Sequence, residues 1–286
     1  MGIARPSPNA SANLRVLRLR RRIINPYAHG PCAEGDRTPT HPHSLADLFM
    51  SAPIEFATGL IVQNLPSTLR LSDFKLIAFD MDSTLINIEC VDEIADAAGR
   101  KEEVAAITEA AMQGLITDYK ESLRQRVALL KGVSTVHLES VFAERLQFNP
   151  GAKELVTAAK AAGLTTLLVS GGFTFFADRV KSGLGIDFAR SNMLEIEGGQ
   201  LTGRMVDQPW GDICDGAEKQ RTLLEVVSLM GIAPTQAIAV GDGANDLPMM
   251  GVAGLSVAYH AKPKVRSQAN VAINQGGLDR LLEVLR

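Results

Sequence analysis

The chain has 286 residues, 46% of them hydrophobic and 21% charged, with a formal net charge of -3. That suits one or two α/β domains with a substantial core, and no apolar run reaches the ~18 residues of a membrane span. Residues 1–49 hold seven arginines, no lysine and three acids, a balance of +4 that leaves -7 for the remainder, and so acidic a body argues against a nucleic-acid binder. The cysteines, Cys32, Cys90 and Cys214, have neither metal-ligand spacing nor a disulfide framework, as expected of a reduced cytoplasmic protein.

Residues 1–49 carry six of the thirteen prolines and show no sustained periodicity. The run Arg18 to Arg22 is not followed by an apolar export segment, so these residues read as a disordered extension. The folded part is expected from residue 50, with one edge strand supplied by Ile54 to Leu65.

Leu76 to Phe79 is an apolar run of the kind buried in a parallel sheet. It ends on Asp80 and Asp82, followed by Ser83 and Thr84. In an open α/β sheet ligands bind beyond the carboxyl ends of the strands. One acid there reads as a helix cap, but two at i and i+2 repel unless a metal or a proton relieves them. They read as a Mg²⁺ site with one carboxylate nucleophile and one acid/base.

Residues 90 to 147 are helical throughout. The predicted helices are Val91–Ala98 ending at Gly99, Lys101–Gln113, Asp118–Lys131, and Ser134–Leu146 with Ser134 as N-cap. A helical insertion after the first core strand makes a small lid that excludes water from a reacting group. In the third of these helices Tyr119, Leu123, Val127, Leu129 and Leu130 share one arc, and Arg126 falls inside it. That arginine either snorkels to the surface or reaches from the lid to grip a substrate carboxylate; Arg124 lies on the far side. Glu89, at the entrance to the lid, is either a solvated acid or the partner of a substrate ammonium. Met112 is a core residue or lines the pocket.

Asn149-Pro150-Gly151 leaves the lid. A helix over Ala152–Ala162 precedes a strand over Leu164–Val169, which finishes in Ser170-Gly171-Gly172. Small residues there let a hydroxyl and backbone amides approach a phosphate. A hairpin is expected over Met193–Ile196 and Leu201–Met205, and Trp210 reads as packing. Lys219 stands in a helix over Glu218–Met230, as a solvated residue or as the one cation offsetting the site's acids. Ala237–Val240 is the next core strand, ending in Gly241-Asp242-Gly243-Ala244-Asn245-Asp246, which again sets oxygen ligands at the site edge. A strand over Val271–Ile273 and a helix over Leu278–Leu285 complete the pattern.

The motif D-x-D-S-T after a strand resembles the first motif of the haloacid-dehalogenase superfamily of phosphotransferases. Ser170-Gly171, Lys219 and G-D-G-x-N-D at 241–246 resemble its second, third and fourth motifs, in order. The resemblance runs over about residues 70–286, with one difference, a residue more than usual between Gln113 and Asp118. It implies an α/β fold, a Rossmann-like parallel sheet core formed by 50–88 and 148–286, with a helical cap at 89–147. It also implies Mg²⁺ on Asp80, the Asp82 backbone carbonyl and Asp242, an aspartyl-phosphate on Asp80, and Asp82 as acid/base. Ser170 and the Gly171 amide would hold the phosphoryl group, Lys219 would offset its charge, and Asp246 would support Lys219 or the metal's water shell. Glu89, Arg126 and Asn245 would bind the rest of a small substrate, phosphoserine, in the closing step of serine biosynthesis. Two alternatives stay open: transfer of the phosphoryl group to another alcohol such as homoserine, and a phospho-aspartate signalling receiver, which would lack the acid/base and the lid. No membrane or nucleic-acid partner is expected, and the oligomeric state is not legible.

Overall fold

The computed structural model describes residues 52–65, 69–112 and 115–285, without the side chains of 111 and 112. The expectations for residues 1–49 and for the Met112 side chain therefore lie outside the described residues. The described residues fall in one compact unit, and no helix among them is long and apolar enough to cross a membrane.

The strands are β1 (Ile54–Ala57), β2 (Leu60–Val62), β3 (Leu76–Phe79), β4 (Thr165–Phe173), β5 (Phe188–Glu197), β6 (Gln200–Val206), β7 (Ala237–Gly241), β8 (Leu255–Tyr259) and β9 (Val271–Ile273). They form one sheet in the order β1-β2-β9-β8-β7-β3-β4-β5-β6. From β9 to β5 every pairing is parallel, while β1, β2 and β6 add antiparallel edges. Counted along the chain from β3, the parallel strands stand in the doubly wound order 3-2-1-4-5-6. The order reverses beside β3, so the crevice beyond the carboxyl ends of β3, β4 and β7 is where this architecture holds a ligand.

All four residues of β3 are buried because helices cover both faces of the sheet. Ile77 and Phe79 enter one apolar cluster and Leu76 and Ala78 the other, the two-residue alternation of a strand. The second cluster is closed by α7 (Gly216–Met230), α8 (Leu247–Met250) and α9 (Pro263–Arg266), through residues such as Leu223, Met249 and Val265. The first is closed by α5 (Ala152–Ala161) and α6 (Thr174–Leu184), and it runs on without a break into the inserted helices.

Those insertions are α1 (Cys90–Ala97), α2 (Lys101–Met112), α3 (Tyr119–Leu129) and α4 (Thr135–Glu144), each within a few residues of its predicted span. Asp118 accepts from the Lys120 amide at 2.9 Å and Ser134 from the Val136 amide at 3.3 Å, so both helix starts are side-chain capped. The chain enters and leaves the insertion through one joint. The Asn149 side chain donates to the carbonyls of Thr84 (2.8 Å) and Ile86 (3.0 Å), and Asn87 accepts from the Gln147 amide at 2.7 Å.

Three local expectations change. The stretch 54–65 is a two-stranded hairpin, β1 with β2, rather than one strand. β8 is absent from the predicted strands; its Ser256 hydroxyl, polar in a buried row, is satisfied by Asn270 Oδ1 at 2.9 Å. The hairpin predicted from Met193 begins earlier, at Phe188, and its first residues pair with β4 as a core strand.

Candidate active site

Beyond β3, β4 and β7 lies a cavity of about 830 Å³, roofed by the inserted helices. Asp80, Asp82, Glu89, Arg126, Ser170, Gly171, Asp242 and Asn245 all line it, so eight of the nine predicted site residues share one space. The ninth, Lys219, lies beneath it with no exposed surface.

The acids come from strand ends. Asp80 follows β3, and its Oδ1 accepts from the Met81 amide and from Lys219 Nζ, both at 2.7 Å. No described residue donates to Oδ2 in the same way. Lys219 Nζ also contacts Asp246 Oδ1 at 2.7 Å, and the other Asp246 oxygen accepts from the amides of Gly243 (3.0 Å) and Asp242 (3.2 Å). Asp246 therefore supports Lys219. Burial opposes the charge on Lys219, but Asp246 and Asp80 outweigh it and hold the ammonium well above its ordinary pKa. Lys181, on α6, is not among the residues that line this cavity.

Asp242 lies in the loop after β7, where Thr84 Oγ1 donates to its Oδ1 at 2.9 Å. Oxygens of Asp80, Asp242 and Asp246 lie within 4.8 Å of one another. Three carboxylates against one ammonium leave a deficit of positive charge. Burial, then Asp246, push Asp80 well up, and the same causes in the same order raise Asp242 to about 7. A hard divalent cation is the group such an oxygen set fits. The Asp82 carboxylate stands apart from this cluster. It accepts from the Cys90 thiol (3.1 Å) and amide (3.3 Å), and burial, then Glu89, raise it to about 7.

The anion cradle arises from a break in the sheet. β4 pairs regularly with β5 to Val169↔Arg190 and resumes at Phe173↔Asn192. Two extra residues on β4 bulge Ser170–Gly172 toward the site. The Ser170 oxygen accepts from the Gly172 amide at 2.8 Å, which leaves its O–H to donate outward. Asn192 fixes the segment by donating to the Gly171 carbonyl at 2.7 Å. A Cβ at 171 would collide with the Tyr119 hydroxyl, so a side chain there would displace that tyrosine.

From the roof, Arg126 faces the cavity on α3, and its Nε is buried without a hydrogen-bond partner. A buried guanidinium nitrogen left unpaired is costly and calls for a ligand acceptor. Arg124 points away and pairs with Asp212 at 2.5 Å. Glu89 caps the lid entrance: Ser83, in the left-handed region at φ 57°, donates to it at 2.6 Å. Burial raises the Glu89 carboxyl, while Ser83 and Arg126 pull it down. Trp210 packs against the second core cluster, as expected.

The sequence reading missed Cys90, Thr84, Asn192 and Tyr119. Only Tyr119 left a usable signal: it lies seven residues before Arg126, two turns along the same helix face.

The haloacid dehalogenase-like hydrolase family matches this chain over residues 77–251, and the chain belongs to that family. Within it, the chain is 74% identical over 234 residues to the phosphoserine phosphatase of Albidiferax ferrireducens, a match covering 82% of this chain and 99% of the relative. It is 72% identical to that of a Polaromonas species with the same coverage. Among solved structures it resembles a phospho-aspartyl intermediate analogue of phosphoserine phosphatase at TM-score 0.68 and 38% identity, covering 74% of this chain and 99% of the other. A substrate-bound phosphoserine phosphatase complex matches at TM-score 0.67 and 37% identity with the same coverage.

Proposed function

We propose that this chain is a Mg²⁺-dependent phosphoserine phosphatase, hydrolysing O-phospho-L-serine to L-serine and inorganic phosphate at the close of serine biosynthesis. The observation that carries the reading is the pairing of Glu89 and the unpartnered Arg126 in the cavity that holds Asp80 and Asp82. A site for a phosphate alone has no use for a carboxylate at its mouth. A substrate with an ammonium and a carboxylate uses both, and Asn245 stands on the cavity wall within the same space.

The geometry supports a two-step phosphoryl transfer. Lys219 and the Met81 amide both hold Asp80 Oδ1, which leaves Oδ2 to attack phosphorus in line and form an aspartyl-phosphate. Asp82, oriented by Cys90, gives its proton to the departing serine oxygen. It then takes a proton from the water that hydrolyses the acyl phosphate. Ser170 and the Gly171 amide hold the phosphoryl oxygens. Asp80, Asp242 and the Asp82 backbone carbonyl would hold Mg²⁺, which supplies Lewis-acid stabilisation of the phosphoryl charge. The buried free thiols Cys90 and Cys214 suit a reducing, cytoplasmic setting.

Chelator-treated protein tests the metal and the acceptor together. Mg²⁺ should restore phosphate release from phosphoserine by orders of magnitude, with no phosphohomoserine formed when homoserine is present. Full turnover in chelator, or phosphohomoserine as the main product, contradicts the reading.

A further inference from the structure

Tyr119 has no role in the chemistry above, yet it lines the cavity that holds the site's acids. It opens α3, whose start Asp118 caps. A Cβ built on Gly171 would lie 2.1 Å from the Tyr119 oxygen and 3.3 Å from its Cζ, so the hydroxyl end rests against the Gly171 backbone. That residue belongs to the bulge that forms the anion cradle. The Asp80 carboxylate and the Lys219 ammonium are both close enough to act on the phenol electrostatically.

The placement is braced from the core. Lys120 Nζ lies 2.9 Å from Asp212 and 3.8 Å from Asp215, and Arg124 reaches Asp212 at 2.5 Å. Asp215 also caps α7 by accepting from the Glu218 amide at 2.9 Å, and α7 carries Lys219. One short core segment thus fixes both the helix of Lys219 and the first turn of α3. Among the described residues the Tyr119 hydroxyl has no hydrogen-bond partner. A phenylalanine would fill the same space, whereas the Tyr119 hydroxyl faces the cavity with its proton free to donate to a ligand held there.

We infer that the Tyr119 hydroxyl donates a hydrogen bond to a non-bridging oxygen of the phosphoryl group, beside the Ser170 hydroxyl and the Gly171 amide. The lid then reads both ends of the substrate from one helix face, the phosphoryl group through Tyr119 and the carboxylate through Arg126. Burial raises the phenol pKa further above neutrality, so the group stays a donor at working pH. The inference rests on the phosphoserine reading for its substrate, but it concerns the phosphoryl end alone.

Tyr119→Phe keeps the ring and removes the donor. The expected result is a roughly ten- to hundred-fold loss of kcat, the range of one lost hydrogen bond to a charged group, with KM for phosphoserine changed by less than about threefold. Phosphoethanolamine should lose the same factor, because it carries the same phosphoryl group. Vanadate, a mimic of the five-coordinate phosphoryl group, should bind the Mg²⁺-loaded variant at least about tenfold more weakly by calorimetry. The melting temperature should not change. Wild-type kcat with wild-type vanadate affinity would show that the ring only packs and would overturn the inference. So would a loss confined to phosphoserine, which would place the hydroxyl at the amino acid end. Vanadate binding needs no turnover, so a wild type inactive on phosphoserine would sink the substrate reading while the vanadate comparison still decides the role of Tyr119.

Discussion

Asp80→Asn abolishes turnover. The amide that replaces the carboxylate is a poor nucleophile, and it loses the charge that Lys219 answers at 2.7 Å. No neighbour can take over. Asp242 and Asp246 are tied to Thr84 and to Lys219 with the Gly243 amide, and Asp82 belongs to Cys90 on the other side. The expected loss is at least about 10⁴-fold in kcat, the scale seen when a nucleophile is removed from a preorganised site. Acid-quenched protein should carry no phosphate. A residual acid-labile phosphoenzyme in this variant would show that another carboxylate attacks. Asp82→Asn should differ in kind, slowing both half-reactions while phosphorylated protein remains detectable.

Arg126→Ala separates recognition from chemistry. The Nε is buried and unpartnered, so a substrate carboxylate finds a guanidinium already held by α3. Losing it should lower kcat/KM for phosphoserine by on the order of 2–4 kcal/mol, the cost of a lost charge-assisted pair. Phosphoethanolamine lacks the carboxylate and should lose little. Glu89→Gln should give the mirror pattern, harming substrates with an ammonium and sparing those without one. Arg124→Ala removes an exposed pair with Asp212 and should cost no more than about 1 kcal/mol. Equal losses for phosphoserine and phosphoethanolamine in the Arg126 variant would assign the guanidinium to the phosphate or to the lid.

The parts of this site visible in the sequence are those in which chemistry abuts a strand. Asp80 and Asp82 stand directly after a four-residue apolar run, and Gly241 to Asp246 directly after another, so their place at the carboxyl ends follows from local pattern alone. Lys219 was visible only through family resemblance. In a fifteen-residue helix it looks like any solvated lysine, and its burial depends on two acids from other strands. Asn192 and Cys90 act through contacts that no local pattern encodes, and the helix face that Tyr119 shares with Arg126 does not reveal what its hydroxyl touches. Tyr119 meets Gly171 from across the lid, and Asn192 meets the same glycine from the next strand.

β5 and β8 were hard to read for a related reason. Arg190, Ser191 and Asn192 make a polar run, yet they lie in a core strand. Arg190 is answered by Glu218 at 2.8 Å and Glu225 at 2.9 Å, and Asn192 by the Gly171 carbonyl and the Cys214 amide. Polar residues whose partners come from distant segments erase the apolar signature of a buried strand. The helical insertion suffered less, because its helix ends are written in neighbouring residues such as Asp118 and Ser134.

The central claim is that one cavity recognises a phosphoryl group, an ammonium and a carboxylate together. Its most direct test is kcat/KM of the unaltered, Mg²⁺-loaded protein for phosphoserine, phosphoethanolamine and 3-phosphoglycerate, read as phosphate release. Phosphoserine should exceed each of the others by at least about tenfold, since each lacks one charged partner worth more than 1.4 kcal/mol. Comparable values for all three esters would mean that Glu89 and Arg126 select nothing, and the phosphoserine reading would fall.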